Sequence, residues 1–106
     1  MARTLINFPQ NARRGDVIEI RALIAHSMET GFRPGADGRV VPRDIIRSFS
    51  CLYNGDEVFA AELFSAVSAN PFISFSLLVG DSGTLEFLWE GDNGFYQVAR
   101  FVFNVA

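Results

Sequence analysis

The sequence predicts an all-β fold, an immunoglobulin-like antiparallel β-sandwich of about seven strands. Three observations carry this expectation. Apolar and polar residues alternate with a period of two in segment after segment, clusters of Gly, Asn, Asp and Pro separate those segments, and no stretch sustains the 3.6-residue period of a long helix. With a single cysteine in 106 residues, such a sandwich has to be held by its apolar core and not by a disulfide between its sheets.

Thr4 to Phe8 reads as a short first strand closed by Pro9, and the polar run around Gly15 as a turn. Asp16 to His26 follows as a long strand with Ile18, Ile20, Ala22 and Ile24 on one face and Glu19 and Arg21 on the other. Ser27 to Arg43 contains Gly31, Pro34, Gly35, Gly38 and Pro42 and shows no period. It reads as a long excursion carrying a small β-ribbon, and excursions of this length in a compact domain are commonly functional.

The strongest local signal is the stretch Asp44 to Phe64. Asn54-Gly55 lies between two apolar runs and suits a type I′ turn, in which both central residues take positive φ. The resulting hairpin register pairs Tyr53 with Asp56, Cys51 with Val58, Phe49 with Ala60 and Arg47 with Glu62 on one face. The other face pairs Leu52 with Glu57, Ser50 with Phe59, Ser48 with Ala61 and Ile46 with Leu63. Both faces carry apolar residues, so both need cover.

Ser65 to Asn70 is a short connection with room for one helical turn, ending at Pro71. Phe72 to Val79 turns Ile73, Phe75, Leu77 and Val79 inward. After the GDSG turn, Thr84 to Glu90 turns Leu85, Phe87 and Trp89 inward, and Gly91-Asp92-Asn93-Gly94 closes a hairpin to Phe95 through Val105. On that last strand Ala99, Phe101, Phe103 and Val105 look inward. Tyr96, Val98 and Val102 look outward and are too apolar for a solvated face, which marks them as a partner interface. A Glu86–Arg100 pair would interrupt this stripe without dispersing it.

Composition narrows the function. The hydrophobic fraction of 49% and the 11 phenylalanines exceed what a small monomer needs and favour a buried interface. A net charge of -3, with the basic residues scattered and all arginine, argues against nucleic acid. No apolar run reaches the length of a spanning helix, and the N-terminal stretch lacks the apolar region of a secretory signal. No membrane association is expected, and the chain by itself reads as cytoplasmic.

Candidate chemistry is sparse. His26 is the sole histidine, has no nucleophile elbow near it, and reads as a loop-capping residue. A copper site assembled from His26, Met28 and Cys51 would lack the second histidine that such centres use. Cys51 lies in mid-strand and reads as a structural thiol, a small hydrophobe without a cationic neighbour. Met28, Glu29, Phe32 and Arg33 form a turn around Gly31 with two readings: Phe32 tucked under the sheet, or a recognition loop exposing Glu29 and Arg33. No catalytic residue, metal ligand or cofactor-binding residue is expected.

His26 with Met28 to Arg33, Pro42-Arg43 with Ile45-Ile46, and Phe49-Ser50-Cys51 with Tyr53-Asn54-Gly55 form one part of a wider pattern. Ala69-Asn70-Pro71 and Gly83-Thr84-Leu85 with Gly91 to Gly94 complete it, and together these motifs resemble the SoxZ family, the Z subunits of the Sox sulfur-oxidation carrier complex. The resemblance spans most of the chain. It implies a noncatalytic immunoglobulin-like subunit that pairs with a SoxY-type carrier, as heterodimer or heterotetramer, during thiosulfate oxidation. In that family the Y chain bears the sulfur on a cysteine in a glycine-flanked C-terminal arm, and other Sox enzymes act on it transiently. This chain ends Phe103-Asn104-Val105-Ala106 without such an arm and so matches the Z partner. Ser27 stands where the family commonly has proline, which loosens the turn before Met28. The resemblance also implies a periplasmic location, by co-export with a signal-bearing Y partner.

Two other function classes fit the residues alone. One is a thiol carrier or redox protein acting through Cys51, the other an adaptor that forms a homodimer. A neighbouring reading frame ending in a Gly-flanked cysteine would favour the carrier-complex reading over both.

Overall fold

The computed structural model describes residues 2–106, and among them seven strands form two antiparallel sheets. In chain order these are β1 (Thr4–Asn7), β2 (Val17–Ile24), β3 (Ile46–Tyr53), β4 (Asp56–Glu62), β5 (Phe72–Leu78), β6 (Gly83–Gly91) and β7 (Tyr96–Phe103). One sheet has the order β1-β2-β5 and the other β4-β3-β6-β7, the arrangement of an immunoglobulin-like sandwich with a four-stranded second sheet. The body is elongated, 57 × 20 × 19 Å.

The core is where the alternation predicts it. Ile18, Ile20, Ala22 and Ile24 of β2 and Phe75 and Leu77 of β5 are buried against Leu85, Phe87 and Trp89 of β6. Burying a large apolar side chain contributes about 1.5–3 kcal/mol, so these alternating positions dictate which face of each strand turns inward. Phe49 sits at the centre, 5.3 Å from the Trp89 ring and 6.2 Å from that of Phe75. At the far end, Tyr53 donates its hydroxyl to the Asp81 carbonyl and accepts from the Gly80 N–H.

The β3–β4 turn has Asn54 at φ 50° and Gly55 at φ 85°, as a type I′ turn requires, and Tyr53 pairs with Asp56 and Leu52 with Glu57 as expected. Beyond that point the register differs from the sequence-based one. Cys51 pairs with Phe59 instead of Val58, Ser50 with Ala60, Phe49 with Ala61 and Ser48 with Glu62. The extra residue, Val58, is a bulge. Its effect is to turn the large Phe59 ring into the core and the small Ala60 outward.

A second irregularity lies between Ile46, which pairs with Gly91, and Ser48, which pairs with Glu90. Accommodating Arg47 there moves Ile46 from the outer face, where simple alternation puts it, into the core beside Ile45. Gly91 permits this approach, since a Cβ at that position would lie 2.5 Å from the Ile45 carbonyl oxygen. Residues 63–71 form turns, with Val67 N–H bonded to the Phe64 carbonyl, and the helical turn anticipated there is absent among the described residues.

Candidate partner interface

The β2–β3 excursion, the β4–β5 connection and the β6–β7 turn meet at one end of the sandwich. The excursion does carry a small ribbon, with bridges Glu29–Asp44 and Pro34–Val40. His26 holds its start: the Met28 N–H donates to His26 Nδ1 at 3.0 Å, so the ring carries its proton on Nε2. That nitrogen lies 3.9 Å from Asp44 Oδ1, and the ring edge packs on Phe95. Met28 takes positive φ, and its sulfur accepts the Ile46 N–H at 3.2 Å.

This anchoring corrects one expectation and decides between two readings. Met28 is buried and pins the loop to β3, so it is not a contact residue of a recognition surface. Phe32, in contrast, is 82% exposed and does not tuck under the sheet. Beside it Arg33 grips Glu29 with two bonds, of 2.7 and 3.1 Å. That hydrogen bonding holds the Glu29 carboxyl below its ordinary range. The loop therefore offers an aromatic ring and a pre-formed Arg–Glu fork.

Asp92 ties the β6–β7 turn to β3. It accepts two bonds from Arg43, both 2.9 Å, and the Ile45 N–H at 3.1 Å, with Arg47 Nε 3.3 Å away. The Arg43 hydrogen bonds depress its pKa, with a smaller contribution from the Ile45 amide. A groove of about 640 Å³ runs alongside, lined in part by Arg43, Arg47, Glu62, Phe64 and Glu90. Its charges are mixed, so it selects no single sign of ligand.

The outer face of the four-stranded sheet carries the anticipated stripe. Tyr96 is 59% and Val102 75% exposed, with Val98 half-buried between them. Glu86 faces Arg100 and bonds it. Register extends the stripe across the sheet, because Val98 lies beside Leu88, Leu88 beside Ser50 and Ser50 beside Ala60. A trough of about 510 Å³ opens over Ser48, Ser50, Ala60 and Leu88 and is rimmed by Glu57, Glu62 and Glu90. Sequence reading missed this trough because it depends on the Val58 bulge, which removes Phe59 from that face. Tyr96 also follows directly on Phe95, which touches His26, so the stripe begins at the end of the sandwich that carries the loop.

Cys51 is sealed, with no exposed surface. Burial alone pushes its thiol up to about 12, leaving essentially no thiolate at neutral pH. It does not converge with His26 and Met28 either. Met28 sulfur sits at Ile46, and five residues of strand, about 16 Å, separate Ile46 from Cys51. Among the described residues no group of three or more His, Cys, Asp and Glu is placed to hold a metal ion.

The model of one protein family, the sulphur oxidation protein SoxZ, matches residues 6–101. No curated protein matches the chain at a significant level. Among solved structures, the superoxide reductase (neelaredoxin) from Ignicoccus hospitalis is similar in fold, at a TM-score of 0.72 and 15% identity over 99% of this chain and 82% of that one. Two variants of the same enzyme give TM-scores of 0.71 and 0.72 at 15% identity, covering 97% and 99% of this chain and 79% and 81% of theirs. At that identity the likeness shows the fold alone.

Proposed function

The chain belongs to the SoxZ family and so to sulfur oxidation, and from that premise we propose that it is the noncatalytic Z subunit of a carrier complex. It pairs with a Y-type chain whose C-terminal cysteine bears the sulfur intermediates of thiosulfate oxidation, and it presents that arm to the other enzymes of the system. The observation that carries this reading is the state of Cys51. In a chain of a sulfur-oxidation family, a lone thiol that is fully buried and held protonated is poorly suited to loading and releasing sulfur, which supports a carrying thiol on another chain. The Tyr96–Val98–Val102 stripe, widened by Leu88 and the trough, supplies an apolar surface for that partner. Phe32 and the Glu29–Arg33 fork supply a recognition loop at the same end.

Pairing as heterodimer or heterotetramer and a periplasmic location, reached with a signal-bearing partner, belong to the same proposal. No helix among the described residues is long and apolar enough to cross a membrane.

Intact-mass analysis of the reconstituted complex during thiosulfate turnover tests this reading. The added sulfur mass is expected on the Y-type chain, with Cys51 unmodified. A persulfide or thiosulfonate on Cys51 would instead support the thiol-carrier class.

A further inference from the structure

The three-stranded sheet carries a second apolar face, on the side of the sandwich opposite the Tyr96 stripe. Across it Leu5 pairs with Leu23 and Leu23 with Phe72, which makes one apolar row. At the other end Val17 pairs with Leu78. Leu5, Val17, Phe72 and Leu78 are all between 59% and 69% exposed. Between these rows lie Arg21 beside Ser74 and Glu19 beside Ser76, with Arg21 Nε bonded to Glu19 Oε1 at 2.6 Å.

Read along β2, the outward residues are Leu23, Arg21, Glu19 and Val17, and along β5 they are Phe72, Ser74, Ser76 and Leu78. Each order is its own complement when reversed. A twofold axis lying in the plane of the face and crossing β2 between Arg21 and Glu19 sets each row over its counterpart in a second copy. Leu23 then meets Val17, Phe72 meets Leu78, Arg21 meets Glu19 and Ser74 meets Ser76, each contact occurring twice. This is the condition for an isologous interface, in which residue i meets j and j meets i.

We propose that the outer face of the β1-β2-β5 sheet is a self-association surface whose occupant is a second copy of this chain, packed sheet to sheet about that twofold axis. The two intrachain Glu19–Arg21 pairs close into a four-member ring of alternating charge at its centre. The strand spacings make the face about 25 Å by 14 Å, roughly 350 Å² per copy, which is below the size of stable specific interfaces and in the weak, transient class, so the dimer dissociates on dilution. Because this face and the β7 stripe lie on opposite sides, two copies joined here leave both stripes free, and the association does not depend on the Y-type pairing.

Sedimentation velocity of the isolated chain over a concentration series reads this directly, with charge reversal as the control. The wild-type chain is expected to move from 11.7 kDa to twice that mass. Glu19→Arg or Arg21→Glu alone, at exposed positions that leave the core untouched, should weaken association at least ~10-fold by setting like charges face to face. The double exchange Glu19→Arg with Arg21→Glu should restore it. Methyl resonances of Val17, Leu23 and Leu78 should shift with concentration in the wild-type chain while those of Val98 and Val102 stay fixed, a readout that needs no variant. A wild-type chain monomeric throughout, single reversals without effect, or dimerisation abolished by Tyr96→Glu with Val98→Glu would each overturn the proposal. Retained self-association with no binding of a Y-type chain would leave this interface standing and count only against the proposed pairing.

Discussion

Phe59 of β4 and Phe75 of β5 lie face to face across the sandwich, their ring centroids 4.3 Å apart and their planes 8° from parallel. They come from different sheets, so the stack joins the four-stranded sheet to the three-stranded one near an edge of each. The Val58 bulge is what turns Phe59 inward to make it. A fully buried Phe→Ala replacement costs roughly 3–5 kcal/mol, and Phe59 is only partly buried, so Phe59→Ala is expected to cost about 2–3 kcal/mol. Urea denaturation would show this as a lower midpoint with an unchanged slope.

The hairpin turn sets the register that the bulge then modifies. Gly55 has φ 85° and no atom close to where a Cβ would stand, so a side chain there meets backbone strain and not a clash. Gly55→Val should destabilise the fold by at least ~1–2 kcal/mol, a fall in melting temperature of roughly 4–16 °C for a domain of this size. An unchanged melting temperature would mean that the turn does not hold its two positive φ angles in solution.

Much of this architecture was legible in the sequence, and the residues show where legibility stops. The inward faces of β2, β5, β6 and β7 follow from plain alternation, and Asn54-Gly55 marks its turn by composition. The bulges do not announce themselves, because Val58, Phe59, Ala60 and Ala61 are all apolar and Ile45 and Ile46 are identical. Which of them faces inward is decided by the ring that fits against Phe75 and Phe49, a tertiary choice that a local pattern does not contain. The Tyr96 stripe was visible as apolar residues in the wrong phase. The Leu5–Leu23–Phe72 row escaped notice because Glu19 and Arg21 made that face look polar. In the loop, Phe32 has no periodic neighbours to say whether it is anchored, and the structure leaves it in solvent.

Cys51 gives a pH dependence with a definite sign. Its thiol titrates near 9 when unperturbed and at about 12 in the folded chain. As pH rises above 9 the unfolded chain loses this proton while the folded chain keeps it, so stability falls with pH, by up to ~1.4 kcal/mol per unit. Cys51→Ser should remove that slope, cost at most ~1–3 kcal/mol for a buried hydroxyl without a partner, and leave complex-supported thiosulfate oxidation intact. Chemical denaturation across pH 8–10.5 on both proteins checks the slope, and an unaltered slope in the variant would assign it to another group.

The proposed function has this chain holding a Y-type carrier against the outer face of β7. Co-expression with a Y-type chain, purified through a tag on that chain alone, measures it most directly. The wild-type chain should co-purify in equimolar amount, and Tyr96→Glu with Val98→Glu should lose the partner while keeping a wild-type circular dichroism spectrum. Full recovery of the double variant would place the partner elsewhere, and failure of the wild-type chain to co-purify would contradict the carrier-complex reading itself.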